Sequence, residues 1–351
     1  MAKAMHALLQ SKLALLADVE GGPPGRLLVR SDLSGTMQLY ELGPDRELTP
    51  LTALPEPVGR AQYLRSGEER GGDGPGGDGV VFEVDRGGDE RYQLYLLARD
   101  ATEGGPVTRL GDLSDLTKDP EHVHQLAGVS PDGTQVAYLS NRANGIDFDL
   151  WVVEIATGTE RRVYAADGWC EPGSGFSPDG RWISVLRAGP RPLDNDLLLV
   201  GVGTGEVRTI LPHPEEAALV DAPAWLGDDE LLVSSNIGRD NSIVLRHNLS
   251  TGLTEPLSRT GEPRTGEPRT GERWDTHVFS GRRDGTACFV ENRNGASHVA
   301  IRAAGDPEET EVPLPEAGVV TNCQFSADGL WLYCTLTTPR RPEGVWAFHR
   351  G

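Results

Sequence analysis

The tetrapeptide Ser130-Pro131-Asp132-Gly133 recurs as Ser177-Pro178-Asp179-Gly180 and, with one change, as Ser326-Ala327-Asp328-Gly329. Proline suits the second position of a turn, aspartate accepts backbone hydrogen bonds ahead of it, and glycine tolerates positive φ. A short apolar stretch follows each copy, at residues 135–139, 182–186 and 330–334. Each copy therefore predicts a turn that begins a strand, and the recurrence predicts a repeat architecture.

The flanks of these turns also repeat. One large apolar residue precedes the turn in each unit, with successive spacings of 47, 49, 54 and 46 residues. These residues are Val129, Phe176, Trp225, Phe279 and Phe325. A second apolar strand, a Thr-Gly turn and a last strand follow in most units. Four antiparallel strands in each unit of about 45 residues are typical of a β-propeller blade.

The chain is therefore predicted to be an all-β, seven-bladed propeller of four-stranded antiparallel blades. Residues 1–20 form an N-terminal segment, and residues 21–351 form the propeller. The predicted blades lie near residues 26–52, 61–110, 120–165, 168–211, 220–258, 275–315 and 320–351. The last blade is one strand short, and we expect residues 12–19 to supply the missing strand and so close the ring.

Two stretches break the repeat. Residues 71–79 are a Gly-Asp run, and residues 259–273 repeat Arg-Thr-Gly-Glu-Pro. Neither composition can bury apolar surface, so both are expected to form loops on the outside of their blades.

The bulk composition limits the function. A net charge of −20 would repel a polyanion, which argues against nucleic-acid binding. The chain contains neither a membrane-length apolar segment nor a convincing signal peptide, so a cytoplasmic location is expected. The four cysteines have no zinc-site spacing and predict reduced, half-buried thiols, with Cys323 and Cys334 as neighbours across a turn.

The repeats resemble the propeller domain of the prolyl oligopeptidase family of serine peptidases, and they are also similar to TolB-type propellers. Three passages carry the resemblance: the Ser-Pro-Asp-Gly turns, the phrase at residues 85–95 (Asp-Arg-Gly-Gly-Asp-Glu-Arg-Tyr-Gln-Leu-Tyr), and Asn141-Arg142 followed by residues 147–151. The second passage favours the peptidase branch. The resemblance extends over about residues 20–350.

The resemblance implies an α/β-hydrolase domain with a Gly-x-Ser-x-Gly elbow, and this sequence contains no such elbow. This chain alone is therefore expected not to hydrolyse peptides. Two hypotheses stay open. The chain is either the substrate-gating propeller of a prolyl-oligopeptidase-like enzyme or a stand-alone propeller that binds a protein or peptide. The expected partners are a peptide substrate, a hydrolase domain or another protein, with neither nucleic acid nor membrane.

Five residues are candidates for binding a substrate or partner. His122 and His124 would share one face of a strand, beside Asp119 and Glu121; a metal site and a blade-edge histidine pair without metal are both open, and the second is favoured. The other three are Asp89, Glu90 and Arg91. In dipeptidyl-peptidase relatives, acidic pairs can hold a substrate's amino terminus, whereas a turn neutralised by Arg86 and Arg91 is the structural alternative. We expect neither a metal nor a cofactor.

Overall fold

The computed structural model describes residues 12–19, 22, 23, 25–64, 79–257, 274–306 and 308–350. The loop predicted at residues 259–273 and residues 71–78 of the loop predicted at 71–79 lie outside these residues, and Gly79 begins a strand. Seven antiparallel sheets are described, of which six have four strands and the last has three. The predicted seven-bladed β-propeller is confirmed.

The first four blades run as follows. Blade 1 contains β1 (Ala14–Asp18), β2 (Leu27–Ser31), β3 (Gln38–Leu42) and β4 (Leu48–Pro50). Blade 2 contains β5 (Val58–Leu64), β6 (Gly79–Val84), β7 (Gln93–Ala98) and β8 (Ser114–Asp115). Blade 3 contains β9 (His124–Val129), β10 (Gln135–Ser140), β11 (Asp149–Glu154) and β12 (Glu160–Tyr164). Blade 4 contains β13 (Cys170–Phe176), β14 (Trp182–Ala188), β15 (Asn195–Gly201) and β16 (Val207–Ile210).

The last three blades follow the same order. Blade 5 contains β17 (Ala224–Trp225), β18 (Glu230–Ser235), β19 (Ile243–Asn248) and β20 (Thr254–Pro256). Blade 6 contains β21 (Thr276–Gly281), β22 (Ala287–Arg293), β23 (Ala296–Arg302) and β24 (Glu309–Val312). Blade 7 contains β25 (Val319–Phe325), β26 (Trp331–Thr338) and β27 (Arg341–His349). Two 3-10 turns, Arg99–Thr102 and Leu110–Asp112, are the described helical elements, and neither could cross a membrane.

The first strands of successive blades form the inner ring, where β1 contacts β5, β5 contacts β9, β9 contacts β13, β17 contacts β21 and β21 contacts β25. Because strands alternate in direction, the loops fall on two faces. The turn face carries the first-to-second and third-to-fourth strand turns, including the Ser-Pro-Asp-Gly turns. The crossover face carries the second-to-third strand loops and the connections between blades.

Apolar burial occurs between blades. Each of the seven buried clusters draws on two neighbouring blades, as in the cluster that joins Leu139 and Val152 of blade 3 to Ile183 and Val200 of blade 4. A blade buries its two sheet faces only when both neighbours are present. The closed ring is therefore the stable unit.

The strand in residues 12–19 closes the ring differently from our prediction. β1 is a strand, but it pairs with β2 in blade 1 and not with β27 in blade 7. Blade 1 thus starts at Ala14 rather than near residue 26, because a hairpin between near neighbours in sequence needs little loop closure. Side chains of blade 7 reach β1 instead, with Thr335 Oγ1 accepting from Leu16 N at 3.1 Å and Asn322 Nδ2 donating to Leu16 O at 3.2 Å.

The three Ser-x-Asp-Gly turns have one geometry. In each, the serine hydroxyl donates to the aspartate carboxylate at 2.5–2.6 Å, and the glycine N–H donates to the serine carbonyl at 2.8–2.9 Å. The glycines Gly133, Gly180 and Gly329 have φ between 70° and 74°. The recurring serine and aspartate therefore build turns, as the sequence predicts.

Blade 6 departs from the predicted repeat register. The residue that opens the first turn in the other units corresponds here to Arg282, whose N–H bonds Thr286 O as Ser326 N–H bonds Trp331 O. The residue before the turn is thus Gly281, and Phe279 lies in a β-bulge two residues earlier. An ideal Cβ on Gly281 would lie 2.7 Å from Trp225 O of blade 5, so no aromatic residue fits there.

Replacing Gly281 with alanine should lower the free energy of unfolding by about 1–3 kcal/mol, because the added methyl group overlaps the backbone of the neighbouring blade. Gly203→Ala is the matched control, since a Cβ there meets nothing within 4 Å. Urea unfolding of both variants measures the difference. Equal stability of the two variants would contradict the close contact between blades 5 and 6.

The cysteines are more buried than predicted. Cys323 and Cys334 are cross-strand partners on β25 and β26 with their Sγ atoms 3.2 Å apart, which confirms that they are neighbours. All four cysteines are free, and each is fully buried rather than half-buried. Their side chains point into the clusters between blades, where a thiol packs as a small apolar group.

Candidate functional site

The five predicted site residues lie together on the crossover face. Asp89, Glu90 and Arg91 are in the loop between β6 and β7, and His122 and His124 lie in or directly after the connection that enters blade 3. Two bonds join the segments: Gln93 Nε2 donates to His122 O at 3.0 Å, and His124 N donates to Tyr92 O at 3.0 Å.

The two histidines do not share a strand face. His122 precedes β9, and its Nδ1 lies 2.9 Å from both carboxylate oxygens of Asp119. His124 is fully buried, with Nε2 3.1 Å from Asp119 O, and burial lowers its pKa. The two rings therefore contact different groups of Asp119, the carboxylate and the backbone carbonyl. Within the described ranges, no group of three or more His, Cys, Asp or Glu residues is arranged to hold a metal.

The acidic loop is braced by its own backbone. Asp85 Oδ1 accepts from Glu90 N at 3.1 Å, Asp89 Oδ1 accepts from Arg91 N at 2.9 Å, and Glu90 has a φ of 60°. Arg86 does not neutralise the pair as expected, because its guanidinium donates to the Tyr95 hydroxyl. The carboxylates of Asp89 and Glu90 lie on exposed residues.

The inner end of this face holds a buried carboxylate that the sequence analysis did not identify. A bulge between Val58 and Ala61 removes Gly59 and Arg60 from the ladder with β6. Glu83 occupies that space: its Oε2 accepts from Arg60 N at 2.9 Å, and its Oε1 accepts from Leu126 N of blade 3 at 2.7 Å. Burial raises the pKa of Glu83, while Arg60, the two N–H groups and Arg30 oppose the rise.

Two arginines lie beside Glu83. Arg30 ends the apolar run of β2 and is half-buried, and Arg60 is exposed on the innermost strand of blade 2. Burial lowers the pKa of Arg30; the charge of Arg60 lowers it further, and Glu83 opposes both. Glu343, on β27, and the half-buried Tyr92 are the other groups close enough to affect Arg30. The cluster therefore joins blades 7, 1 and 2.

Solved structures share this fold. A prolyl endopeptidase superposes with a TM-score of 0.69 at 16% identity, over 99% of this chain and 48% of that chain. A prolyl oligopeptidase B from Galerina marginata gives a TM-score of 0.68 at 12% identity, over 99% and 51%. The chain has the fold of a prolyl oligopeptidase propeller. This propeller spans about half the length of those peptidases.

Two further structures bear on the propeller. A puromycin-hydrolysing peptidase from Mycobacterium tuberculosis matches with a TM-score of 0.66 at 19% identity, over 95% of this chain and 51% of that chain. An oligogalacturonate lyase in complex with manganese matches with a TM-score of 0.65 at 14% identity, over 97% of this chain and 90% of that chain. No protein-family model and no curated protein sequence matches the propeller.

The propeller also exposes apolar side chains on the crossover face of blades 3 to 5. Ile146 and Leu193, in second-to-third strand loops, are 74% and 79% exposed. Trp169 and Leu219, in connections between blades, are 48% and 40% exposed. We call these four residues the apolar patch. In the sequence, these residues are recognisable as large apolar residues in predicted loops. The strand directions of the propeller are needed to show that the four loops lie on the same face.

Proposed function

We propose that this chain is a non-catalytic propeller that covers the active site of a prolyl-oligopeptidase-like hydrolase domain and limits the peptides that reach it. The observation that carries the proposal is the superposition of nearly the whole chain on about half of several peptidases. The sequence contains no Gly-x-Ser-x-Gly elbow, so the chemistry would belong to the hydrolase domain.

The apolar patch is the surface that we assign to the hydrolase domain. Large apolar side chains that are mostly exposed are candidates for burial in a protein interface. Ile146 and Leu193 extend from neighbouring loops with most of their side-chain surface in solvent. A covering domain would remove that surface from water, and this burial would stabilise the complex by about 25 cal/mol for each Å² of apolar surface.

The test combines the purified chain with a hydrolase domain of this family encoded in the same genome. We expect a stable complex in size-exclusion chromatography. Compared with the hydrolase domain alone, the complex should cleave long peptides more slowly, whereas its rate on short peptides should change less. The double variant Ile146→Asp, Leu193→Asp should weaken the complex. Leu253→Asp is the matched control, because Leu253 is 56% exposed on the turn face. Peptide hydrolysis by this chain alone would overturn the proposal.

A stand-alone propeller that binds a protein or peptide is the second candidate. The observation that favours a stand-alone propeller is the oligogalacturonate lyase structure, because this fold accounts for 90% of that chain. Failure of every hydrolase domain to associate, together with peptide binding by the chain alone, would favour this candidate over the first.

A further inference from the structure

We propose that Arg30 and Arg60 form a carboxylate-binding site at the inner end of the crossover face, which takes a carboxylate of a peptide ligand. The choice of a peptide rests on the proposed function. The site itself follows from the placement of the two guanidinium groups and the groups around them.

The backbone brings the two arginines to one place. Arg30 lies on the same face of β2 as Leu28, which packs in the cluster between blades 1 and 2. Arg60 lies on β5, the innermost strand of blade 2, in the bulge that frees its N–H for Glu83. β2 and β5 are in contact, so both side chains lie at the junction of blades 1 and 2.

Neither guanidinium makes a direct contact with a carboxylate of the described residues. Among the residues that the structure describes, neither Arg30 nor Arg60 forms a side-chain hydrogen bond or an ion pair. The nearby carboxylates face other groups, since both oxygens of Glu83 accept backbone N–H groups and Glu343 Oε1 accepts from the Thr321 hydroxyl at 3.3 Å. The guanidinium N–H groups of Arg30 and Arg60 are therefore available to a ligand, although Glu83 and Glu343 lie nearby.

The donor set fits a carboxylate. A guanidinium presents parallel N–H groups that match two carboxylate oxygens. A half-buried guanidinium binds an anion more strongly than an exposed one, because less water competes for its N–H groups. Tyr92 adds a third donor: its ring lies 3.3 Å from the Cβ position of Gly59, and its hydroxyl bonds no described residue. Burial and the carboxylates of Asp85, Glu83 and Glu90 raise the pKa of Tyr92, so its hydroxyl keeps its proton.

The test measures the binding of three N-acetylated alanine pentapeptides to the full chain by isothermal titration calorimetry. The first has a free carboxyl terminus, the second is amidated, and the third is amidated with a central glutamate. We expect a carboxylate peptide to bind the wild-type chain at least about tenfold more tightly than the neutral amide. Preference for the first identifies a terminal carboxylate, and preference for the third identifies an acidic side chain.

Arg30→Gln and Arg60→Gln should each weaken binding of the preferred peptide about tenfold. Arg340→Gln is the matched control, because Arg340 is an exposed arginine on the same face whose side chain bonds no described residue. Thermal unfolding checks that the variants stay folded. Equal binding of all three peptides, binding of none, an equal loss in Arg340→Gln, or binding of trigalacturonate without any peptide would overturn the proposal. None of these outcomes depends on association with a hydrolase domain.

Discussion

Replacing Glu83 with alanine is expected to lower the free energy of unfolding by about 2–6 kcal/mol. Arg60 N–H and Leu126 N–H would both lose their acceptor, and a buried donor without a partner costs about 1–3 kcal/mol. Because Leu126 belongs to blade 3, the variant also removes a link between blades. Urea unfolding, followed by tryptophan fluorescence, measures the loss.

Glu83→Gln should have a smaller effect, about 1–3 kcal/mol, because one oxygen can still accept while the new amide nitrogen faces an N–H. It should also change the pH dependence. Burial raises the pKa of Glu83 in the folded state above its value in the unfolded chain. The resulting contribution to the free energy of unfolding is fully present below the unfolded pKa and is lost as pH rises through the folded pKa. That component should be missing in Glu83→Gln. An alanine variant as stable as the wild type would show that Glu83 does not bridge the blades.

Replacing Phe325 with alanine is expected to cost about 3–5 kcal/mol. The Phe325 side chain is completely buried in the cluster between blades 6 and 7, and the Arg350 guanidinium lies 5.5 Å from its ring centroid. The neighbouring blade surfaces cannot close over the space that a phenyl ring leaves. Thermal or urea unfolding of the variant measures the loss.

Phe279→Ala is the comparison variant, because the sequence repeat gives Phe279 and Phe325 the same position whereas the structure does not. Phe279 is a half-buried bulge residue at the margin of the same cluster, so its loss should cost clearly less. Equal losses in the two variants would support the sequence register and contradict the structural one.

The turns and the blade count could be predicted because their causes are local. Each Ser-x-Asp-Gly turn is fixed by bonds within a few residues, and the apolar strand that follows is fixed by its own alternation. The blade 6 register was wrong because the apolar character of Phe279 outweighed Gly281, whose role depends on a carbonyl of blade 5. The partner of β1 could not be predicted, since an apolar strand suits either blade 1 or blade 7.

The candidate site was predicted less well. Asp89 and His122 were singled out from sequence clusters, and the structure does place their segments side by side. Arg30, Glu83 and Glu343 come from three different blades, so no sequence pattern brings them together. The sequence nonetheless contains a usable signal, because Arg30 and Glu83 are single charged residues within the apolar strands β2 and β6. Burying a charge is costly unless it is paired or hydrogen-bonded, so a charged residue in such a strand indicates a specific contact or a site.

The ring is closed between blades 7 and 1 by side-chain contacts and not by strand pairing. No strand is shared across this seam, and of the apolar clusters formed by the described residues the one at the seam is the smallest, around Leu16, Val19, Leu27 and Val29. Opening there breaks side-chain contacts to β1 and leaves every sheet intact. Local opening of the native ring should therefore begin at this seam, and would separate blade 7 from blade 1 without unfolding a blade.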